Sequence, residues 1–233
     1  MANTKEEGFS KRLRKETRDV HKVSDALINA KLAFALSDND VWADGLLVFY
    51  EIFRYLEENT PEDLLPKEFH RTQAFERDLS FYLGENWKRN YEIRNSVTMY
   101  LKHLYDVKKR SPTLLLAYVY HLYMGLLSGG QILQKKRSLN PLNSGNNEGE
   151  AVTHFEGHSI AELKTIMRNL VDTKALEFDD SMKTLLIAES KMVFFLNNEI
   201  VRSVRGVNRA NLRKFGIVLI IVIAIFYFLR FNK

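Results

Sequence analysis

Glycines inside an apolar, helix-forming stretch are the first residues of this sequence that could shape a binding site. Residues 120–131 read YHLYMGLLSGGQ and lie within 112–136, where the apolar spacing predicts a helix. Each glycine inside a helix costs about 0.5–1 kcal/mol relative to alanine. Gly125 and Gly129 are one turn apart and share a face, so a flat, bulky group could lie against the backbone there, and Gly129 followed by Gly130 permits a bend. Close helix–helix packing uses the same spacing, and the glycines alone leave both interpretations open.

An imidazole and two pairs of cations could complete such a site. Arg14, Arg18 and His21 lie on neighbouring turns of the first predicted helix. Lys164 and Arg168 repeat the four-residue spacing on a late helix. Like charges at this spacing repel by about 0.2–0.5 kcal/mol, so a partner with two negative charges would explain both pairs. A flat ring system, a neutral imidazole and cations for two carboxylates together describe a heme pocket.

Other catalytic and metal-binding patterns are absent or weak. The sequence has no Cys, which excludes disulfides, thiol nucleophiles, iron–sulfur clusters and Cys-ligated zinc. It has no GxSxG, Walker or GxGxxG pattern. His154 and His158 have metal-ligand spacing, but no third ligand accompanies them. A pair of surface histidines is therefore the favoured interpretation.

The net charge of +5 comes from one end of the chain. No acidic residue follows Glu199, whereas seven of the 34 basic residues do, which leaves 27 basic against 29 acidic residues over 1–201. A nucleic-acid-binding protein carries its basic excess on the folded body, so no nucleic-acid partner is expected. The basic residues instead flank an uncharged apolar run at 215–229, and extending it over 215–231 predicts a short transmembrane helix. The positive-inside rule then leaves the rest of the chain in the cytosol.

The pattern of apolar residues predicts an all-α protein. Seven segments have the i, i+3, i+4 spacing of amphipathic helices: 9–33, 43–58, 72–83, 95–109, 112–136, 159–171 and 180–204. Turn-forming residues without a hydrophobic anchor predict a mobile loop over 140–152. We therefore expect a flexible N-terminus at 1–8, one helical domain over 9–208, and a basic flank with a C-terminal membrane anchor over 209–233.

Three stretches give the sequence a family resemblance. They are residues 17–21 (TRDVH), 68–87 (EFHRTQAFERDLSFYLGENW) and 114–131 (LLLAYVYHLYMGLLSGGQ). The chain resembles the animal-type, tail-anchored heme oxygenases across nearly all of residues 9–233. The resemblance implies a helical heme oxygenase fold and an enzyme that opens heme b to biliverdin, releasing iron and carbon monoxide.

The resemblance also assigns roles to residues and partners. It implies His21 as the proximal iron ligand and Gly125 and Gly129 over the distal heme face. Five residues would surround the heme propionates: Arg14, Arg18, Tyr120, Lys164 and Arg168. Electrons would come from NADPH through a membrane-bound reductase of the endoplasmic reticulum, whose thin bilayer suits a short span. Lys135, Lys136 and Arg137 are candidates for docking that reductase, and a solvated run of charge at a helix end is an equally good interpretation.

The sequence departs from the family pattern on the distal side. Leu126 replaces an Asp that anchors a water network, and Leu122 and Phe53 replace an Arg and a Tyr that help to hold those waters. Of this network only a histidine remains, at His70. Ordered water would have fewer hydrogen-bonding partners. We therefore expect slower turnover or a relaxed choice of the heme carbon that is attacked.

Two alternatives remain open at this point. The first keeps the fold and His21 but has no effective proton route, which would make the protein a membrane-anchored heme-binding or heme-sensing protein without catalysis. The second is a helical, tail-anchored adaptor with no cofactor. The adaptor predicts that the purified protein is colourless and takes up no hemin.

Overall fold

The computed structural model describes residues 8–32, 36, 38–138 and 149–231, and all regular structure within them is helical. The ten α-helices are α1 (Phe9–Glu16), α2 (Arg18–Leu32), α3 (Asn39–Asn59), α4 (Thr72–Leu83), α5 (Asn95–Arg110), α6 (Leu115–Gly125), α7 (Gln131–Ser138), α8 (Ile160–Lys174), α9 (Asp180–Arg202) and α10 (Val207–Phe231). Short 3-10 turns lie at Lys67–Phe69, Trp87–Asn90, Pro112–Leu114 and Ala175–Glu177. The predicted all-α class is confirmed.

Two predicted helices are interrupted. The helix predicted over 9–33 divides into α1 and α2 at Thr17, which is buried. The Thr17 hydroxyl donates a hydrogen bond of 2.8 Å to the carbonyl of Leu13. The helix predicted over 112–136 changes to a π-helical turn at Leu126–Gly130. The widened turn falls where Gly129 and Gly130 make the backbone easiest to deform.

Helix α6 occupies the middle of the hydrophobic core because it is apolar on nearly all sides. Leu115, Ala117, Tyr118 and Val119 are fully buried, and α6 packs against α3, α5, α8 and α9. A helix that is apolar all round is stable only when neighbours cover it on every side. This central position gives α6 a rigid setting from which it can present residues to a site.

A cleft opens between α2 and α6. Both helices pack on α9, but they make little contact with each other. The outward residues of α2 stay uncovered, and Val23 is a large apolar side chain exposed on this helix. Helix α6, which ends at Gly125, and helix α2, which carries His21, therefore form the two walls of one cleft. Helix α9 forms its floor.

The ends of the predicted domain are packed more extensively than expected. The N-terminal residues 1–7 and residues 139–148 of the loop region lie outside the described residues. Where the chain is described again, the backbone N–H groups of Ala151 and Val152 donate to the Asp78 carboxylate over 2.8 and 2.9 Å. At the other end Ala210 is buried, so core packing continues two residues beyond the predicted limit at 208.

Candidate functional site

Two imidazoles face the cleft floor. Phe194 of α9 lies 5.3 Å from the ring centroid of His21 on α2 and 5.0 Å from that of His121 on α6. One turn after His121, a Cβ atom built on Gly125 would meet nothing within 4 Å, and the same holds at Gly129. The glycine face therefore does not serve close helix packing. It borders open space that a flat group could occupy.

His21 is held by a neighbouring carboxylate. Its Nδ1 lies 2.9 Å from Oδ2 of Asp25, one turn further along α2, and about half of each side chain is exposed (54% and 57%). A carboxylate on Nδ1 fixes the tautomer that leaves the Nε2 lone pair available to a metal. Asp25 was missed in the sequence, although its four-residue spacing from His21 was a signal for it.

Two of the four predicted cations lie near Tyr120, in the middle of α6. The hydroxyl of Tyr120 donates to the carbonyl of Ser10 over 3.1 Å, which ties α6 to α1. Burial raises the pKa of Tyr120, while Arg168 of α8 and Arg14 of α1 act in the opposite direction, so both guanidinium groups lie near this phenol. Arg18 begins α2, and Lys164 lies one turn before Arg168. The structure thus brings Arg14 and Arg168 to the same phenol, and the roles of Arg18 and Lys164 stay a prediction.

A carboxylate on α8 fixes the start of α1. Asp172 accepts hydrogen bonds from the Ser10 backbone N–H over 2.7 Å and from its hydroxyl over 3.1 Å. A Cβ on Gly8 would come within 2.6 Å of the same carboxylate, so a larger residue at this position would push the Asp172 side chain aside. No local pattern in the sequence indicates this pairing, because Ser10 and Asp172 are 162 residues apart. It holds the helix of Arg14 beside the helix of Lys164 and Arg168.

The three apolar replacements, Phe53, Leu122 and Leu126, form an apolar wall within and beside α6. Phe53 and Leu122 are 3% and 4% exposed, and the Phe53 ring packs edge-on against Tyr123 with centroids 5.0 Å apart. Leu126 opens the π-helical turn, and its Cδ1 would lie 3.0 Å from a Cβ on Gly130. These three side chains offer no hydrogen-bonding groups to water.

His70 belongs to a small polar cluster next to this wall. Its Nδ1 lies 3.8 Å from Oε2 of Glu57, and the opposite oxygen of Glu57 accepts a 3.1 Å hydrogen bond from the Tyr123 hydroxyl. Backbone N–H groups of Arg71 and Thr72 also donate to Glu57, which is nearly buried. Burial, reinforced by the Glu57 charge, raises the pKa of Tyr123 well above its usual value. Sequence reasoning missed Glu57 and Tyr123, although a tyrosine in so apolar a helix needs a partner.

Comparisons with known proteins identify the family of this chain. The Heme oxygenase family model matches residues 7–203. Human heme oxygenase 1 is 30% identical over 205 residues, which cover 81% of this chain and 69% of the human protein. Chicken heme oxygenase 1 is 35% identical over 143 residues, or 60% of this chain and 47% of its own length. The chain belongs to the heme oxygenase family.

Solved structures of the heme oxygenase family share the fold. Heme oxygenase 2 of Chlamydomonas reinhardtii, solved without heme, superposes with a TM-score of 0.77 at 29% identity, covering 85% of this chain and 98% of that one. Heme oxygenase-1 of the cyanobacterium Synechocystis, solved in complex with heme, has a TM-score of 0.78 at 23% identity, covering 93% of this chain and all of the other, and this likeness concerns the fold alone. The family as a whole comprises heme-degrading oxidoreductases.

The residues of the cleft fit a heme group. The ring of His21 has a second nitrogen, Nε2, available to iron. Gly125 and Gly129 leave a space that larger side chains would fill. Arg14 and Arg168 lie near Tyr120, where they could neutralise two carboxylates. Within residues 8–32, 36, 38–138 and 149–231, no group of three or more His, Asp or Glu side chains could hold a separate metal ion. His21 would supply the imidazole for the iron of a bound heme.

His121 is the cleft residue that sequence reasoning overlooked. Burial lowers the pKa of His121 to about 3, and the nearby His21 contributes in the same direction, so the ring is neutral. Its Nε2 is inaccessible and has no hydrogen-bond partner within the described structure. The signal in the sequence was its spacing of one turn from Gly125 and two turns from Gly129.

One candidate for reductase docking is wrong. Arg137 is 3% exposed, and it donates to the Leu36 carbonyl over 2.8 Å while its guanidinium lies 5.2 Å above the Trp42 ring. A guanidinium used in this way is part of the packing between α7 and the start of α3. Only Lys135 and Lys136 of that basic run are exposed.

Proposed function

We propose that this protein is a heme oxygenase that opens heme to biliverdin with release of iron and carbon monoxide. It would use dioxygen and electrons from NADPH delivered by a partner reductase. The observation that carries this proposal is the open cleft in which His21 faces the glycine face of α6 across Phe194. Bound heme supplies the redox chemistry, and the protein supplies ligation, orientation and proton control.

Each cleft residue has a definite task in this proposal. The Nε2 atom of His21 binds the iron, and Asp25 keeps the ring in the correct tautomer. The propionates are bound by five residues of α1, α2, α6 and α8: Arg14, Arg18, Tyr120, Lys164 and Arg168. Gly125 and Gly129 let the macrocycle lie against the helix backbone. His70, next to the Glu57–Tyr123 pair, holds or relays protons on the distal side.

The apolar wall accounts for our expectation of slow or unselective turnover. Phe53, Leu122 and Leu126 cannot hold ordered water, so protons reach the distal side less readily. Without hydrogen bonds on that side, little directs the attack to a single carbon of the macrocycle. Slower turnover, a mixture of biliverdin isomers, or both would follow.

An absorption-monitored hemin titration followed by reductase-driven turnover tests the proposal. We expect one hemin per chain, and then loss of the heme band on addition of NADPH and reductase, with excess catalase present to exclude peroxide damage. Chromatography of the products then gives the isomer distribution. A colourless protein that takes up no hemin would refute the proposal, and a single isomer formed at ordinary family rates would refute its slow, unselective part.

A second candidate function is heme binding or sensing without catalysis. The observation that favours it is the same apolar wall, which lacks the polar groups of the family's proton network. It predicts tight hemin binding and a heme band that persists under NADPH, reductase and catalase. The turnover experiment therefore separates the two functions.

The proposal places the protein on the endoplasmic reticulum membrane with its helical body in the cytosol. Val207–Arg230 is long and apolar enough to cross a membrane, and its apolar stretch packs against nothing in the described structure. Lys135 and Lys136 would attract an acidic reductase on the same membrane face. Reversing both charges should slow reductase-driven turnover at low salt and leave hemin affinity unchanged, and unchanged turnover would exclude this docking site.

A further inference from the structure

A pocket of mixed charge lies where α10 joins the helical body. It encloses about 170 Å³ between the start of α3, the turn before α10 and the first two turns of α10. Six charged residues line it: Asp38, Asp40, Asp44, Arg205, Arg209 and Arg213. Three carboxylates and three guanidinium groups therefore surround one small volume, and the proposed heme chemistry uses none of them.

Half of these charges have partners within the protein. Arg213 donates a 2.8 Å hydrogen bond to one oxygen of Asp38, and the other oxygen of Asp38 caps α3. Asp44 is paired with Arg94 of α5, and only 15% of the Asp44 side chain is exposed. The fold already satisfies these groups, so they form the walls of the pocket.

The other half of the charges are left without a partner. The side chains of Asp40, Arg205 and Arg209 are exposed and form no hydrogen bond or ion pair within the described structure. Single exposed charges are common on protein surfaces, but these three converge on one cavity. A ligand that complements them carries two anionic groups and one cationic group.

The pocket lies close to the depth of phospholipid headgroups when α10 crosses a bilayer. Arg213 is two residues and Arg209 six residues before the apolar stretch at 215–231. With a rise of 1.5 Å per residue, their backbones lie about 3 and 9 Å above the start of that stretch. The headgroup region is roughly 5–7 Å thick on each side of the hydrocarbon core. A long arginine side chain can reach down into this layer.

We propose that this pocket binds the headgroup of phosphatidylserine in the cytosolic leaflet. The inference rests on the proposed placement in the membrane and goes beyond it. The phosphate and the carboxylate of the lipid are bound by Arg205 and Arg209, and its ammonium group is bound by Asp40. Phosphatidylethanolamine lacks the second anion and phosphatidylglycerol lacks the cation. Phosphatidylserine therefore matches all three of the unpaired charges.

Competition between two anionic lipids tests this assignment. The full chain in detergent receives equal amounts of phosphatidylserine and phosphatidylglycerol with identical acyl chains, which carry the same net charge. Native mass spectrometry then gives the ratio of the two complexes that contain one lipid. We expect phosphatidylserine to be favoured roughly threefold, because its ammonium group adds one exposed ion pair. A ratio of one overturns the assignment.

Asp40→Asn separates the pocket from a general attraction between basic residues and anionic lipids. The variant is more positive than the wild type, so general attraction predicts equal or stronger binding of both lipids and an unchanged ratio. The pocket predicts that the ratio falls to one. Glu199→Gln is the matched control, because it removes an exposed carboxylate at the end of α9 that bonds to Arg202, and it should keep the threefold ratio. An unchanged ratio in Asp40→Asn overturns the assignment.

Two further measurements complete the test. Arg209→Gln should weaken the complexes with both lipids, because each lipid has a phosphate, and equal binding to this variant would exclude Arg209 from the site. Vesicle flotation of the full chain reports whether it enters a bilayer. A chain that floats with vesicles but has no preference for phosphatidylserine leaves the membrane placement intact and overturns the site alone. A chain that does not float overturns both.

Discussion

At the scale of single residues, the cleft is defined as much by missing atoms as by side chains. Gly125 and Gly129 border open space, whereas Gly8 is held against the Asp172 carboxylate and Gly206 adopts a φ of +80° in the turn between α9 and α10. Glycine at position 206 suits the positive φ, and glycine at position 8 leaves room for the Asp172 carboxylate. At Gly125 the backbone is α-helical and at Gly129 it is π-helical, and neither conformation requires glycine. The benefit of glycine at these two positions must therefore come from the group that enters the cleft.

Replacing Gly125 by alanine should therefore separate stability from heme binding. Removing a helix-interior glycine stabilises a helix by about 0.5–1 kcal/mol, and the new methyl group meets nothing in the empty cleft. The free energy of unfolding of the heme-free protein should rise, while hemin affinity falls. Gly45→Ala is the matched control, since its added methyl group also meets nothing but lies in α3. Equal hemin affinity in both variants would contradict the role of Gly125.

Polar groups returned to the distal wall should speed up turnover. The double variant Phe53→Tyr with Leu126→Asp restores two groups of the family pattern that can hold water next to His70. We expect reductase-driven heme loss to accelerate and the product to shift towards one biliverdin isomer, as measured by absorption and chromatography. A hemin affinity equal to that of the wild type would show that the double variant still forms the binding pocket. Unchanged rate and isomer ratio with intact binding would show that the apolar wall does not limit this enzyme.

At the scale of elements, long-range polar contacts hold the helices that surround the cleft. Asp172 caps the N-terminus of α1 from α8, where the first residues of a helix leave their N–H groups unpaired. On the other side of the core, Glu189 of α9 accepts hydrogen bonds from His103 and Arg110 of α5 and from Tyr118 of α6. These carboxylates determine how α1, α5 and α6 sit against α8 and α9.

Asp172→Ala should lower both stability and hemin affinity. Loss of a cap costs about 0.5–2 kcal/mol, and α1 would no longer be held where Arg14 lies near Tyr120 together with Arg168. Asp179→Ala is a matched control, because Asp179 caps α9 through a 2.7 Å bond from the Met182 N–H, away from the cations. Chemical unfolding should show a similar decrease in the free energy of unfolding for the two variants. Only Asp172→Ala should also weaken hemin binding. Equal effects on hemin would refute the positioning role.

The Glu189 cluster predicts a specific loss of stability in acid. Burial alone would raise the pKa of Glu189, but hydrogen bonds from His103, Tyr118 and Arg110 outweigh it and lower the pKa to about 2. A carboxylate with a depressed folded-state pKa stabilises the fold above its unfolded pKa of about 4.5, and this contribution is lost as the pH falls towards 2. A shift of this size corresponds to roughly 3 kcal/mol.

Urea unfolding of wild type and Glu189→Gln between pH 6 and pH 2.5 measures this contribution. The difference in unfolding free energy between the two proteins should be largest at pH 6 and shrink steadily below pH 4.5. The variant keeps the shape of the side chain and removes its titration. A difference that stays constant over this range would show that the charge of Glu189 is not what stabilises the cluster.

At the scale of the whole molecule, the apolar helix is joined rigidly to the helical body. Val207 and Ala210 of α10 are buried, and the Arg213 side chain bonds to Asp38 at the N-terminus of α3 over 2.8 Å. In the turn between α9 and α10, the backbone N–H of Arg205 donates a 2.6 Å hydrogen bond to the Asp44 carboxylate. From Phe215 onwards the described side chains are exposed. The first two turns of α10 are thus part of the fold, and the remainder is free to enter a bilayer.

Truncation should distinguish these two parts of α10. A chain ending at Lys214 should remain in solution when mixed with phospholipid vesicles and should bind hemin as the full chain does. A chain ending at Gly206 should lose about 2–3 kcal/mol of stability, because it also loses the burial of Val207 and Ala210. Vesicle flotation and urea unfolding are the measurements. Stable vesicle association of the chain ending at Lys214 would refute the anchoring role of residues 215–231.

The sequence by itself determined the helices and the kinds of groups that could meet, because helical periodicity reflects contacts within three or four residues along the chain. It predicted His21, the glycines and both cation pairs as site residues, and the spacing of Asp25 from His21 and of His121 from Gly125 was a local signal that this prediction left out. Only the tertiary structure decided that Phe194 lies between two imidazoles, that Asp172 holds α1, and that Arg137 is buried. Those contacts join segments about 70 to 170 residues apart, and they depend on how whole helices pack, which no local pattern records.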